Sequence, residues 1–165
     1  MSQLLISSVS TPIGKLNLIA RQDVLLAAGF SATGKLLSSL SQSDRELTSK
    51  KVKSIKGINN LIVDYFDGDL NALNQISVSQ PGGEFSQRAW KSMRKVNAGK
   101  TISYAQLAKQ AGSEAAVRAA GSACAKNLIA IVVPCHRIVR TGGALGNYAY
   151  GLKSKEWLLS HEGAL

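Results

Sequence analysis

The chain has 165 residues, a length that suits one ordinary domain or two small ones. A hydrophobic fraction of 45% is enough for a packed core, yet no apolar run approaches the length of a membrane span, so we expect no membrane partner. Residues 1–9 lack the basic start and continuous apolar core of a signal peptide, which predicts a soluble, intracellular protein. In that compartment both cysteines are expected to be reduced thiols.

The net charge of +10 is concentrated in the second half of the chain. Residues 1–84 hold 8 Lys and Arg against 7 Asp and Glu, whereas residues 85–165 hold 12 against 3. A solvated basic face is the simplest explanation of any charge excess. An excess confined to one segment is also what a polyanion-binding domain needs, because Lys and Arg release counterions from phosphates.

Three strands and one helix are predicted in the first half. The apolar segments 4–9, 15–20 and 24–30 have the composition of strands, and the last two form a plausible hairpin. Residues 35–49 are polar and serine-rich and receive no assignment. Apolar side chains recur at helical spacing over 51–66, which predicts an amphipathic helix. The resulting small antiparallel sheet with one covering helix has no histidine or cysteine, so it cannot build a structural metal site.

Pro81-Gly82-Gly83 is the strongest turn signal in the chain, and it separates a predicted domain of residues 1–80 from a second one of residues 85–165. The second domain begins with a helix over 85–96 that has basic residues on its exposed side.

Two shorter helices are predicted next. Ser103 is placed to cap a helix over 104–111, and Ser113 to cap the following one, with a glycine between them. Two short helices across a tight glycine turn form a helix-turn-helix, although the same pattern fits a compact helix pair without a DNA-binding role.

The second helix of this pair is almost without side-chain bulk, and Arg118 is its only long cation near the start. An alanine-rich helix is typical of a closely packed core. A smooth helix that carries one arginine also suits insertion into the narrow minor groove of DNA.

Cys135 and His136 are candidates for an activated thiol, because the thiolate is the nucleophilic form and an imidazole is a common proton acceptor. The apolar run 128–132 before them predicts a short buried strand that enters a bend at Pro134. In a regular strand the two side chains would point to opposite faces. Either Pro134 bends the chain enough to bring them together, or a water bridges them. The plainer alternative is a small buried cysteine beside an unrelated histidine.

Residues 134–139, Pro-Cys-His-Arg-Ile-Val, resemble the active-site signature of the O6-alkylguanine-DNA alkyltransferases. Further matching segments are Ser103-Tyr104, Ala116 to Ala120, Asn127, Gly146 to Tyr148 and Lys155 to Gly163. The resemblance covers residues 85–165 well and the first half more weakly. It implies an α/β N-terminal domain with a ribonuclease H-like sheet, followed by a mostly α winged helix-turn-helix domain.

The resemblance implies that Cys135 is the nucleophile, that His136 is the base acting through a water, and that Glu162 orients and charges the imidazole. Asn127 would brace the bend that carries the cysteine. No metal and no cofactor is implied. Each protein molecule would accept one alkyl group irreversibly, because a thioether is not hydrolysed under mild conditions.

A second set of residues is implied to bind the substrate. Tyr104 would donate to a purine ring nitrogen, the carbonyls of Cys135 and Ile138 would accept from the exocyclic amine, and the backbone around Tyr148 and Ala149 would contact O6. Arg118 would take the space of the extruded nucleotide. The residues implied to contact DNA are Ala116, Arg118, Ala119, Ser122, Ala123 and Lys126.

The implied partner is double-stranded DNA that carries O6-alkylguanine, chiefly O6-methylguanine, bound through its minor groove by a monomer. The implied location is the cytoplasm, at the nucleoid in a prokaryote, or the nucleus in a eukaryote.

Two positions depart from the usual pattern of the family. Leu128 stands where a proline often follows the asparagine, and Tyr150 stands where a glycine is common in the pocket wall. We expect the Tyr150 side chain to narrow the pocket or cover its mouth, so that methyl adducts react and benzyl-sized adducts react poorly.

Three other functions fit parts of the sequence. A relative that senses alkylguanine without repairing it would lack Cys135. A plain winged-helix transcription factor would leave Cys135, His136 and Glu162 unexplained. A Cys-His hydrolase would need an oxyanion hole and would turn over repeatedly.

Overall fold

The computed structural model describes residues 2–165, and the backbone contacts group them into two units. The first unit contains the chain up to Pro81 together with Leu128–Val132, and the second contains Gly82–Asn127 and Val133–Leu165. The segment 128–132, which the predicted boundary assigns to the second domain, therefore belongs to the first unit. No helix within residues 2–165 is long and apolar enough to cross a membrane.

The first unit is built on a five-stranded sheet. Its three central strands, β1 (Leu4–Thr11), β2 (Gly14–Arg21) and β3 (Val24–Gly29), are antiparallel as predicted. The two edge strands, β4 (Ser49–Lys51) and β5 (Ser77–Val78), each run parallel to their neighbour, in the order β4-β1-β2-β3-β5. The sheet is therefore mixed rather than purely antiparallel, because both edge strands return through long helical connections.

The helices of the first unit differ from the predicted single helix. Two short helices, α1 (Thr33–Ser38) and α2 (Gln42–Arg45), occupy the region without an assignment. The helix predicted over 51–66 begins later, as α3 (Asn59–Phe66), because residues 49–51 join the sheet and Gly57 has a φ of +78°. A helix cannot continue through a left-handed residue.

Asn59 holds this late helix start in place. Its Oδ1 accepts from the Ile55 amide at 2.9 Å, and its Nδ2 donates to Ser7 Oγ at 2.9 Å. Asn59 is buried, so these bonds satisfy polar groups that water cannot reach. The contact joins the start of α3 to β1.

The segment 128–132 forms one isolated bridge instead of the predicted strand. Ile129 pairs with Ala28, and the Ala28 amide donates to the Leu128 carbonyl at 3.0 Å. Ile131 then adopts a φ of +71°, which ends any extended run and is rare for a β-branched residue. The predicted burial is confirmed for Ile129 to Val132, whereas Leu128 is only partly buried.

The second unit contains four helices and a short strand pair. The helices are α4 (Glu84–Met93), α5 (Tyr104–Gln110), α6 (Val117–Lys126) and α7 (Leu152–His161). β6 (Ile102–Ser103) lies parallel to β7 (Ile138–Val139). α4, α5 and α6 pack on one another.

The start of α5 was predicted correctly, and the start of α6 was predicted wrongly. Ser103 caps α5 in a complete capping box with Gln106, which confirms the predicted start. Ser113 does not cap α6, which begins four residues later at Val117. Instead, the Ser113 carbonyl accepts from Ala116 in a separate turn.

Replacement of Asn59 by alanine is expected to destabilise the protein by about 1–3 kcal/mol, because the Ile55 amide and the Ser7 hydroxyl would lose a buried partner. Urea denaturation followed by circular dichroism would measure the loss. The neighbouring Asn60 is exposed, so Asn60→Ala is the matched control. Equal stability of the two variants would show that the buried contact does not stabilise α3.

Candidate active site

Cys135 lies in a tight turn rather than in a strand. Cys135–Arg137 form one turn of 3-10 helix after Pro134, whose φ and ψ are −84° and 67°. The Cys135 amide donates to the Val133 carbonyl at 2.8 Å, and the Arg137 amide donates to the Pro134 carbonyl at 3.0 Å. The chain therefore bends at the proline.

Asn127 braces this bend from the end of α6. Its Nδ2 donates to the Val133 carbonyl at 2.8 Å. The next residue, Leu128, uses its amide to donate to Gln80 Oε1 at 2.8 Å. A proline has no amide hydrogen, so the departure from the family pattern at Leu128 adds a hydrogen bond within the first unit.

His136 and Glu162 form a buried pair. His136 Nε2 lies 2.8 Å from Glu162 Oε2, and neither side chain is exposed. Burial lowers the pKa of His136, so the imidazole is neutral at neutral pH. An ionised carboxylate only accepts, so Nε2 carries the hydrogen and Nδ1 keeps the lone pair. Within residues 2–165, His136 Nδ1 has no hydrogen-bond partner, which leaves it available as a proton acceptor.

Arg137 holds the same carboxylate from the other side. Its Nε donates to Glu162 Oε1 and its Nη2 to Oε2, both at 2.9 Å, while Nη1 donates to the Val96 carbonyl at 2.7 Å. Burial would raise the pKa of Glu162, but the hydrogen bonds from His136 and Arg137 and the arginine charge bring that pKa well below its usual range. Arg137 is buried, so its guanidinium faces this carboxylate and the Val96 carbonyl inside the protein.

The Cys135 thiol is protonated in the resting protein. Burial raises its pKa, although a hydrogen bond from Asn127 and the charge of Lys155 oppose this rise. Cys135 is 8% exposed. Since the neighbouring imidazole is neutral, the site holds a thiol and a base, and the proton has to leave sulfur during the reaction.

Lys155 is a site residue that the sequence analysis missed. Its side chain is fully buried, its Nζ donates to the Ile138 carbonyl at 2.7 Å and to the Asn147 carbonyl at 3.2 Å, and it lies 6.0 Å from the Tyr104 ring. The available signal was helical spacing, because Lys155 shares a face of α7 with the buried Leu158, Leu159 and Glu162.

A cavity of about 890 Å³ opens beside the cysteine. Six residues predicted for substrate or DNA contact line it: Tyr104, Arg118, Ser122, Cys135, Tyr148 and Ala149. Burial raises the pKa of Tyr104 to about 12, so its hydroxyl is a donor at neutral pH. Gly146 also lines the cavity, as does Cys124.

Two residues predicted for this pocket do not line it. Tyr150 packs edge-on against the Tyr148 ring, with 6.0 Å between centroids, so it supports a wall instead of narrowing the cavity. Ile138 is fully buried, and its carbonyl already accepts from Lys155.

The predicted DNA contacts on α6 and the turn before it also need one correction. Arg118, Ser122 and Lys126 are exposed, and Ala116 and Ala119 are partly exposed. Ala123 is fully buried, and its carbonyl accepts from Trp90 Nε1 of α4 at 2.8 Å. Ala123 therefore faces the protein interior and cannot contact DNA.

No cluster of three or more His, Cys, Asp or Glu side chains able to hold a metal ion occurs between residues 2 and 165.

Comparison with known proteins identifies the family. Residues 84–164 match the family model described as 6-O-methylguanine DNA methyltransferase, DNA binding domain. A methylated-DNA--protein-cysteine methyltransferase of Shigella flexneri is 33% identical over 100% of this chain and 99% of its own length. Another from Mycolicibacterium paratuberculosis is 34% identical over 94% of this chain and 90% of its own length.

Solved structures agree with this assignment. The crystal structure of the Mycobacterium tuberculosis O6-methylguanine methyltransferase matches with a TM-score of 0.77 and 30% identity, covering 98% of this chain and 94% of that one. A crystal structure of OGT from the same organism in complex with DNA gives a TM-score of 0.78 at 30% identity, over 97% and 93% of the two chains. The chain belongs to the methylated-DNA--protein-cysteine methyltransferase family.

Replacement of Arg137 by methionine is expected to destabilise the protein by about 3–5 kcal/mol, because the Glu162 carboxylate would lose its buried cation. Thermal and urea unfolding would measure the loss. The stabilisation from a carboxyl with a lowered folded pKa is present above its unfolded pKa and disappears as pH falls through the folded value. The difference between wild type and variant should therefore shrink in strong acid.

Lys109→Met is the matched control, because Lys109 and Glu114 form an exposed pair at 3.7 Å. Such a pair contributes at most about 1 kcal/mol. A pH-independent loss in Arg137→Met would attribute the effect to packing instead of charge.

Proposed function

We propose that this chain repairs DNA by moving the alkyl group of O6-alkylguanine, chiefly O6-methylguanine, irreversibly onto Cys135. The observation that carries the proposal is one cavity that is lined by the Cys135 thiol and by Arg118 of an exposed, small-residue helix. Directly after the thiol comes a neutral imidazole with a free Nδ1, bound to a buried carboxylate. The named relatives, which are methylated-DNA--protein-cysteine methyltransferases, support the same reaction.

DNA has to deliver the lesion to the cavity, because guanine O6 is buried in the base stack. Flipping a nucleotide costs a few kcal/mol, and less for a base that pairs badly. In our proposal the protein binds DNA as a monomer. Helix α6 lies in the minor groove, and Arg118 fills the space of the flipped nucleotide. Ala116, Ala119, Ser122 and Lys126 would contact the duplex around it.

Inside the cavity the Tyr104 hydroxyl donates to a purine ring nitrogen, which stabilises negative charge as the guanine leaves. The backbone around Tyr148 and Ala149 contacts O6. The carbonyls of Cys135 and Ile138 are the proposed acceptors for the exocyclic amine. For Ile138 this is a shared role, because a carbonyl has two lone pairs and Lys155 uses one.

The chemical step is displacement at a saturated carbon. The Cys135 proton passes through a water to His136 Nδ1, the new sulfur–carbon bond forms, and the bond from that carbon to guanine O6 breaks with its electron pair on guanine. Glu162 stabilises the imidazolium that results, and Asn127 holds the turn. The thioether stays on the protein, so one molecule repairs one lesion.

The finer description of the fold forms part of the same proposal. Residues 85–165 would be a winged helix-turn-helix domain that binds DNA and accepts the alkyl group. Residues 1–80, with a ribonuclease H-like sheet, would support it. The protein would act wherever the chromosome lies, in the cytoplasm at a nucleoid or in a nucleus.

Intact-mass analysis after mixing the protein with a duplex that contains O6-methylguanine tests the proposal. We expect a gain of one methyl group, mapped to Cys135, in amounts that never exceed one per protein molecule. Cys135→Ala should abolish the gain, and an otherwise identical duplex with normal guanine should give none. Repeated turnover without a mass change would indicate a hydrolase, and binding without a mass change would indicate a lesion sensor.

Gly146→Ala is expected to slow methyl transfer by about tenfold, equivalent to roughly 1.4 kcal/mol. Gly146 has a φ of +74°, and a methyl group there would lie 2.9 Å from Tyr104 Oη, which would displace the donor. Single-turnover kinetics on the methylated duplex would measure the rate.

Gly142→Ala controls for backbone strain, because Gly142 also has a positive φ, of +92°, but nothing lies within 4 Å of an added methyl group. Equal rates in the two variants would remove the proposed role of Tyr104.

A further inference from the structure

Cys124 is a second thiol that the proposed repair reaction does not use. It lies on α6, is partly exposed, and lines the same cavity as Cys135. Burial raises the pKa of the Cys124 thiol. The only two cysteines of the chain therefore share one reaction space.

We propose that this cavity is a two-thiol trap for bifunctional alkylating groups, in which Cys124 closes a covalent bridge onto an alkyl group first captured by Cys135. The reactant class is a two-carbon electrophile with a leaving group at each end. Examples are a 2-haloethyl group on guanine O6 and a free 1,2-dihaloethane. The capture from DNA rests on the function proposed above, and the bridging step is an additional reaction.

The bridging step follows from the chemistry of the first product. After capture, Cys135 carries a sulfur–CH2–CH2–halide chain, and guanine or the first halide has left. The thioether sulfur displaces the remaining halide from the far carbon, forming a three-membered episulfonium ring and a halide ion. Cys124 Sγ then attacks a ring carbon, the ring opens, and the Cys124 proton passes to water. The product joins the two sulfurs through one ethylene unit.

Cys124 is suited to the second step and not to the first. Both thiols are protonated at neutral pH, but only Cys135 is followed by the His136–Glu162 pair that can accept its proton, so Cys124 is the poorer nucleophile towards ordinary alkyl halides. The episulfonium ring is strained and cationic, so it reacts with weak nucleophiles. A methyl or ethyl group on Cys135 has no second leaving group, and Cys124 then stays unchanged.

A two-carbon bridge also restricts the distance between the two Cα atoms less than a disulfide does. A disulfide requires Cα atoms about 4.4–6.8 Å apart, whereas two added carbons tolerate a wider separation. The bridge has a protective consequence. Without Cys124, the ring on Cys135 would react with water or with DNA held at the cavity, and the latter reaction would crosslink the protein to the chromosome.

The decisive experiment treats the full-length protein with 1,2-dibromoethane and maps the products. Trypsin cleaves after Arg118, Lys126 and Arg137, so the two cysteines fall on separate adjacent peptides. We expect these peptides to be recovered joined by an ethylene unit. The intact bridged protein is lighter than the bromoethyl adduct by one molecule of hydrogen bromide. Bromoethane, with the same carbon chain and one leaving group, should give an ethyl group on Cys135 and no joined peptides.

Cys124→Ser removes the second thiol at nearly constant size, and Cys124→Ala is a second variant without any nucleophile. In both, the product should stop at a 2-bromoethyl or 2-hydroxyethyl group on Cys135. With duplex DNA present, both variants should form more covalent protein–DNA product than wild type. Equal crosslinking in all three proteins would contradict the protective role.

Recovery of wild-type protein with a bromoethyl or hydroxyethyl group on Cys135 and a free Cys124 would overturn the trap. The same preparations are assayed with the O6-methylguanine duplex. Methyl transfer without a bridge discards the trap and keeps the repair function. Absence of methyl transfer discards the repair function itself.

Discussion

The Glu162 carboxylate is the point on which the site depends. It binds two consecutive residues of the cysteine turn, His136 through Nε2 and Arg137 through two guanidinium nitrogens. All three side chains are buried, so the carboxylate charge is balanced by arginine and oriented by imidazole. Because Glu162 is the C-cap residue of α7, the same contact fixes the end of that helix to the turn that carries Cys135. Loss of this carboxylate would release the helix and the imidazole together.

Burial gives the thiol and the imidazole matched protonation states. It raises the pKa of Cys135 and lowers the pKa of His136, so both groups are neutral in the resting protein. A protonated, 8% exposed thiol reacts more slowly with oxidants in solution than a thiolate does, since the thiolate is the reactive form. A protein proposed to react once is consumed by any side reaction of its thiol, so low reactivity in the resting state preserves it for repair. Asn127 and Lys155 oppose the rise in the pKa of Cys135 but do not cancel it.

The sequence predicted correctly those helix starts that depend on contacts between residues close together in the chain. Ser103 caps α5 through residues three apart, and the sequence places that helix correctly. The start of α3 depends on Asn59 reaching Ser7, 52 residues away, and no local window contains that contact. Lys155 was missed for the same reason, and the burial of Arg137 was not predicted. Charged residues are almost always exposed, and only tertiary structure supplies the carbonyls and the carboxylate that allow these two to be buried.

Burial also changes how the charge of the second half should be counted. Of the 12 Lys and Arg in residues 85–165, Arg137 and Lys155 are buried, as is Glu162 among the 3 acidic residues. The remaining side chains are 10 basic and 2 acidic, so the net charge outside the buried core of this half stays strongly positive. The two buried cations contact the cysteine turn or the carboxylate bound to it, whereas Arg118 and Lys126 on α6 are exposed and can contact phosphate. The basic residues of this half therefore have two separate roles: the buried ones stabilise the site around the thiol, and the exposed ones attract DNA.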